Sequence, residues 1–451
     1  MLNMDQKIVI VGAGVAGVNA ATKLVDNGYP GKNITIIDMG KSPYERKPEE
    51  VMTGFLGAGG WSDGKLTYHT AIGGHLSKYV GEEKAMSLMD EVINNFKRFH
   101  PKPEEVQCSN PEAEPDFIKP YFGLRLFPVW HVGTDYLHEI GKNWYDYLVS
   151  KGVNFIWETK VTRIDFNTQE IFTDERTYGD FDNKYDRLIF AVGKSGIDFA
   201  QLLQEKYTFP TEPKPVQIGV RFEAPQHHFQ KLIDISYDFK LYRKFEDKGV
   251  SLRSFCTNNN AAYVAVEETY GDYSYNGHAK KDMTFKNDMT NFGILMEIRG
   301  VENPFEWSRK VVKECQIKDK GLYYSPSRNV SQTSEGNEVE AFQIGLEELS
   351  KVKKSFHGYF DYITDFIEDM KKVFPTLGDD WGIYIPEVKY LSPEPLVDYS
   401  DLSLKEHSNV HFVGDALSAR GITVSGAQGI LSIEKILEEE WVDTGDVTMF
   451  G

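Results

Sequence analysis

Cysteine is nearly absent from this chain. Cys108, Cys256 and Cys315 are the three present in 451 residues, far apart and without a CxxC pair. Disulfide frameworks and zinc ribbons need cysteines at short fixed spacings, so both are excluded, and the expectation is a cytoplasmic protein. Long apolar runs are missing too. The first, residues 8–18, is broken by Gly12, Gly14 and Gly17 and has no basic leader, and none approaches the ~18 apolar residues of a membrane-crossing helix. No signal peptide and no membrane partner are expected. Basic residues are in deficit: 50 Lys and Arg against 68 Asp and Glu leave a formal charge of −18, which argues against duplex nucleic acid as a partner. A local groove for a single strand stays open. Internal repeats and low-complexity segments are absent. What remains is an ordinary globular composition, 41% hydrophobic and 26% charged, long enough for several domains.

The clearest pattern lies near the start. Ile8–Val11 is a short β-branched run that breaks into Gly12-Ala13-Gly14-Val15-Ala16-Gly17 and then into helical spacing. Strand, GxGxxG turn and helix in that order form a dinucleotide site, with the pyrophosphate on the helix N-terminus. Gly12 makes the turn, Gly14 admits the phosphates and Gly17 lets the helix pack on the sheet, while Ala16 follows the turn into the helix. Asp38, 26 positions after Gly12, ends a second strand at 33–38, where it is placed to accept hydrogen bonds from the adenosine ribose.

The choice of dinucleotide falls to the other end of the chain. Val413-Gly414-Asp415 closes a strand, and Arg420-Gly421-Ile422-Thr423 precedes a helix. FAD carries a ribityl chain and a ring edge that becomes negative on reduction. An aspartate for the ribityl hydroxyls and a helix N-terminus aimed at that edge answer both needs, so FAD is favoured over NAD. Ala191-Val192-Gly193 ends a buried strand where two-part flavoproteins return to the cofactor domain, and Val161 stands where backbone brackets the adenine. A second strand-GxGxxG-helix does not occur, so no separate NAD(P)H domain is expected.

Residues 39–75 are rich in glycine and poor in periodicity, and so long a loop in a compact domain points to a function. Its individual part is Gly54-Phe55-Leu56-Gly57-Ala58-Gly59-Gly60-Trp61-Ser62-Asp63-Gly64-Lys65-Leu66. Small residues such as Gly59 allow backbone to approach a flat ring, and Ser62, Asp63 and Lys65 offer partners for phosphate, ribityl or flavin edge. This segment resembles the GxGGAGxxSDGKL signature of a family of bacterial and archaeal FAD-dependent dehydrogenases, distant relatives of the two-dinucleotide-motif flavoproteins. Similar stretches are Gly133-Thr134-Asp135, Lys214-Pro215, Ile218-Gly219-Val220-Arg221 with Glu223, Phe255-Cys256, Asn276-Gly277, Glu387 and Gly421-Ile422-Thr423. The likeness extends from Lys7 to about residue 437. It implies FAD and oxidoreductase activity and fixes no substrate. Leu56 stands where the family has glycine, Lys194 where it has histidine and Lys389 where it has arginine, and Thr257-Asn258-Asn259-Asn260 replaces a second cysteine and paired glycines. Lysine for arginine removes a bidentate fork and suggests a shifted substrate.

The fold expected is α/β, a Rossmann-type FAD-binding domain from residues 1–200 and 386–451 with an inserted α+β substrate domain at 201–385. Strands are expected at 216–223, 250–256, 261–267 and 292–298, and helices at 82–98, 134–151, 303–317, 355–374 and 425–440. His227-His228 lack further ligands at metal spacing and read as surface histidines, and the series Phe356, Phe360, Tyr362, Ile363, Phe366 and Ile367 reads as a helix core face. The favoured function is hydride exchange between a small organic molecule and flavin N5, with Lys65, His69, Lys194, Glu387 and Arg420 as candidate catalytic residues. The electron partner is open. The competing readings are oxidative cleavage of a C–N bond in an amino-acid-like group, including one carried by a modified nucleotide, and a flavin-bound scaffold with no reaction.

Overall fold

The computed structural model describes residues 5–47, 50–62, 64–111, 115–174, 183–245, 249–260, 262–279, 287–327, 341–391 and 393–445, with backbone alone at 439–445. Its first sheet has six strands in the order Ser403–Leu404, His407–Phe412, Arg187–Phe190, Ile8–Val11, Ile34–Ile37 and Asn154–Ile156. All pairs are parallel except the short first strand. Ile8–Val11 is buried at every position, as a parallel strand covered on both faces must be. Helices Val15–Asp26 and Ile422–Gly445 pack together in this layer, and a Cβ at Gly429 would stand 2.1 Å from the Ala16 carbonyl oxygen. Glycine there lets the two helices close up. The last helix begins directly after Gly421, whose φ of +105° ends the preceding turn.

The second sheet has eight strands: Ala341–Gln343, Gly321–Tyr324, Gly382–Lys389, Val216–Pro225, Met289–Ile298, Val250–Asn258, Phe239–Phe245 and Gly123–Leu126. It is antiparallel beyond its first pair. One face is apolar, with Ile218, Val220, Phe222, Leu252, Ile294 and Met296 packed in one core with helix Phe360–Val373. The expected core face at Phe360, Ile363, Phe366 and Ile367 is present. The helix expected over 355–374 runs from Phe360 to Val373; His357 and Gly358, at φ of +51° and +86°, delay its start and separate it from Leu346–Ser355. Against the other face lies the hairpin Ala262–Thr269 with Asp272–Ala279.

Residues 101–130, irregular by sequence pattern, supply the edge strand Gly123–Leu126, where Gly123 makes room for the Tyr242 ring. Gly382–Lys389 lies inside the second sheet, so residue 386 falls within a strand of that sheet. No helix among the described residues is long and apolar enough to cross a membrane.

Candidate functional site

A cavity of about 1100 Å³ runs from the C-terminal ends of the first sheet's strands to the second sheet. Gly12, Gly14, Ala16, Asp38 and Val161 line one end, Gly59, Ser62, Ala191, Gly193, Gly414, Asp415, Gly421, Ile422 and Thr423 the middle, and Lys65, Lys194, Lys240, Arg253 and Lys389 the far wall. At the first end, Gly12 takes φ +108° and a Cβ there would stand 2.4 Å from the Ala191 carbonyl oxygen, whereas a Cβ at Gly14 would meet nothing within 4 Å. Gly12 is therefore fixed by packing, and Gly14 faces open space at the N-terminus of Val15–Asp26. Gly17 sits against the Gly12 carbonyl, as the packing role requires.

Asp38 has a larger task than ribose binding. Its Oδ2 accepts from Ala13 N–H at 2.8 Å, and its Oδ1 accepts from Gly40 N–H at 2.7 Å and Gly54 N–H at 2.8 Å. One carboxylate thus ties the glycine turn to both ends of the following loop. Arg46 does the complementary work, donating to the carbonyls of Glu50, Val51, Phe55 and Gly57. Burial lowers its pKa to about 10, against the opposing pull of Asp38 and Glu50. The loop that looked structureless is organised by one buried anion and one buried cation. Leu56 adopts the left-handed conformation, φ +62°, and its N–H donates to the Ala13 carbonyl at 2.8 Å. A glycine would hold that φ without strain; Leu56 holds it while burying its side chain in the first core.

The middle of the cavity fits a flavin dinucleotide. Asp415 Oδ1 and Thr423 Oγ1 are buried without a hydrogen-bond partner, and both residues line the cavity beside the N-terminus of Ile422–Gly445. Arg420 Nε lies 3.3 Å from Asp415 Oδ1, again without hydrogen-bond geometry. Orphaned polar atoms of this kind await a partner. Ser62 Oγ donates to the Gly59 carbonyl and accepts from Gly64 N–H, so it shapes the loop. Asp63 lies outside the described residues.

The far wall is charged. Lys65 is buried, and its Nζ donates to the Thr257 carbonyl at 2.5 Å and stands 4.0 Å from Asp238 Oδ2. Lys240 Nζ approaches the same oxygen at 3.9 Å. Lys194 Nζ is 3.1 Å from Glu267 Oε2. Burial lowers the Lys194 pKa, and repulsion from Lys389 and Arg420 adds to this against the attraction of Glu267. Burial opposes ionisation of Glu267, but Lys194 and Lys389 overcome it and hold its pKa below the usual range. Lys389 also suffers burial, yet Glu387 and Glu267 outweigh it and raise its pKa. The cavity cysteine is Cys256, at φ +50° beside the β-bulge that follows Phe255.

Two candidate residues are placed elsewhere. His69 is exposed, its Nδ1 accepts from Ala71 N–H at 3.0 Å, and it does not line the cavity; a histidine on a turn satisfied by its own backbone has no reason to turn inward. Glu387 is fully buried and does not line the cavity either. It lies 3.4 Å from Arg221 and 3.3 Å from Lys389, on the same face of the sheet as Lys389 but beside the cavity, where a Cβ at Gly293 would strike its carboxylate. Glu387 positions Lys389 and neutralises Arg221. Residues the sequence pattern did not single out are Asp238, Lys240, Arg253 and Glu267, all in strands or beside them; only the strand periodicity hints at them. His228 contacts Thr376 and Asp380, away from the cavity.

Residues 6–209 match the family model of the pyridine nucleotide-disulphide oxidoreductases. Its cofactor is FAD. The match and the cradle together make this an oxidoreductase-type flavoprotein. No curated protein matches the chain. Solved structures with a similar course include halogenase PltM in complex with phloroglucinol and FAD, at 11% identity and a TM-score of 0.42 over 97% of this chain and 69% of that one. Tetracycline destructase Tet(51) aligns at 11% identity and 0.39 over 98% and 83%. A flavoprotein/dehydrogenase from Cytophaga hutchinsonii aligns at 12% identity and 0.39 over 96% and 79%. Nothing is carried over from these proteins at such scores.

Proposed function

We propose that the chain is an FAD-dependent oxidoreductase in which a small organic substrate on the far wall exchanges a hydride with flavin N5. The observation that carries this reading is the single cavity of about 1100 Å³, lined at once by the dinucleotide cradle and by the second sheet. The division of labour follows: residues 1–200 and 386–451 supply the cradle, and the inserted segment at 201–385, with the rest of strand Gly382–Lys389, supplies the wall. FAD, when bound, supplies a two-electron hydride acceptor or donor.

The chain's own residues do the remainder. Gly14, with the N-terminus of Val15–Asp26, holds the pyrophosphate, and Asp415 and Thr423 offer their orphaned oxygens to the ribityl chain and ring edge. Strands of the second sheet would hold the substrate in the part of the cavity that faces the cradle. Lys194 moves the proton: an ammonium whose pKa is lowered by burial releases it more readily than a solvated lysine. Asp38 and Arg46 act through the loop they pin and are positioning residues.

Cleavage of a C–N bond is disfavoured by a wall of lysines, which repels a substrate ammonium, and a closed scaffold is disfavoured by the open cavity. The test is anaerobic reduction of the purified holoprotein followed by mixing with a small artificial electron acceptor. Reoxidation at turnover rates, about 1 to 10³ per second, is expected. A flavin that stays reduced while the protein is folded would contradict a redox role.

A further inference from the structure

The second sheet shows an asymmetry that folding alone does not require. Its apolar face packs on helices, while the opposite face presents Gln217, Lys240, Arg253, Phe255 and Lys389 to the cavity. The register makes this one surface: Gln217 pairs with Lys389, Tyr242 with Arg253, and Arg253 with Leu295, so the named side chains project from the same side of the pleat. Lys65 and Lys194 reach the same space from the cofactor side.

Five cations, Lys65, Lys194, Lys240, Arg253 and Lys389, therefore meet on a largely buried wall, and Asp238 and Glu267 are the carboxylates set among them. Glu297, at the margin, is taken by Arg299 at 2.9 Å, and Glu387, on the same face beside the cavity, is shared between Lys389 and Arg221. The Arg253 side chain makes no hydrogen bond or ion pair with a described residue; burial lowers its pKa, and Glu297 is the carboxylate that pulls against this. Its guanidinium lies 5.3 Å from the centre of the Phe255 ring, with Lys240 Nζ 4.6 Å from the same centre. Burying a guanidinium that no side chain grips is costly, and such an arrangement persists where a ligand completes it. The cofactor's pyrophosphate is answered separately, at Gly14 and the helix N-terminus.

We propose that this wall is an anion-binding subsite and that the substrate is a small organic anion carrying a carboxylate or phosphate group. Arg253 and Lys240 hold the charged group, the Phe255 ring between them carries the apolar part, and Lys389 adds long-range attraction. This deepens the redox reading given above, and its test is read by binding rather than turnover.

The experiment is calorimetric titration of the holoprotein, at fixed ionic strength, with malonate, methyl phosphate and the uncharged malonamide. Malonate or methyl phosphate is expected to bind at least tenfold more tightly than malonamide, and the tighter of the two assigns the charged group. Arg253→Met and Lys240→Met should each weaken that anion at least tenfold while FAD content and melting temperature are retained. Equal affinity of wild type for the anions and malonamide overturns the proposal whatever the variants do. Folded, yellow Arg253→Met and Lys240→Met proteins with undiminished anion affinity overturn it as well, because the anion then binds elsewhere. A protein that binds malonate in this way but holds no FAD would sink the redox reading and leave the subsite standing.

Discussion

Around Gly12 and Gly14 the cavity is lined by backbone and small side chains, with charge supplied by a helix terminus; around Lys240 and Lys389 it is lined by side-chain charges from separate strands. The first end recognises its ligand by close approach, so what matters there is the absence of atoms. The far wall depends on the presence of atoms, each carbon and charge held by a neighbour. Substitutions should therefore fail differently at the two ends: added bulk ejects the ligand from the cradle, while a removed charge unsettles the wall.

The largest effect expected is beside the wall. Glu387→Gln leaves Arg221, itself fully buried, without its carboxylate. Removing one partner of a buried pair costs roughly 3–5 kcal/mol, so the denaturant midpoint should fall sharply; an unchanged midpoint would mean Arg221 is compensated elsewhere. Next is a contrast between neighbouring glycines. Gly12→Ala forces a Cβ toward the Ala191 carbonyl at a positive φ, with an expected loss of about 2–4 kcal/mol. Gly14→Val meets open space and should keep the melting temperature while abolishing FAD retention. Equal stability losses in both would erase the distinction between packing and ligand glycines.

The third prediction uses pH. Glu267 has a folded pKa below its ordinary 4.5, chiefly because Lys194 and Lys389 overcome its burial. Below 4.5 the unfolded chain binds this proton while the folded chain resists it, so the stability this group contributes is present above about pH 4.5 and is lost as pH falls toward the folded value. Urea midpoints measured from pH 7 to pH 4 and below should fall more steeply for the wild type than for Glu267→Gln; parallel curves would deny the ion pair its role. The smallest effect separates two residues of one loop. Lys65→Met breaks the link to Thr257 and should alter the flavin's reduction potential, whereas exposed His69→Ala should change stability by under about 0.5 kcal/mol and leave the potential alone. A shift in both, by redox titration, would bring His69 back to the site.

The same contrast explains what could be read from the sequence. The cradle was legible because its parts are contiguous: a strand, three glycines at fixed spacing and a helix must fold together wherever they occur, and Gly414-Asp415 repeats that logic at the other end. The loop at 39–75 showed its importance but not its order, since Asp38 and Arg46 bond to backbone groups that have no signature. The far wall was hidden for another reason. Lys240, Arg253 and Lys389 come from three strands, and alternation such as Val250-Ser251-Leu252-Arg253 marks a polar side of one strand without showing that the polar sides of all three meet at one cavity. Glu387 was placed near the flavin through the family resemblance; its ion pairs with Arg221 and Lys389 hold it beside the cavity, out of the lining.

The most direct test of the account is the flavin itself. Purified wild-type protein should be yellow and release one FAD per chain on denaturation, with no FMN, and Gly14→Val should be colourless with an unchanged melting temperature. A wild-type protein that carries no flavin and takes up none when FAD is added would contradict the cradle, and a Gly14→Val protein that keeps its FAD would show that the glycine turn serves the fold alone.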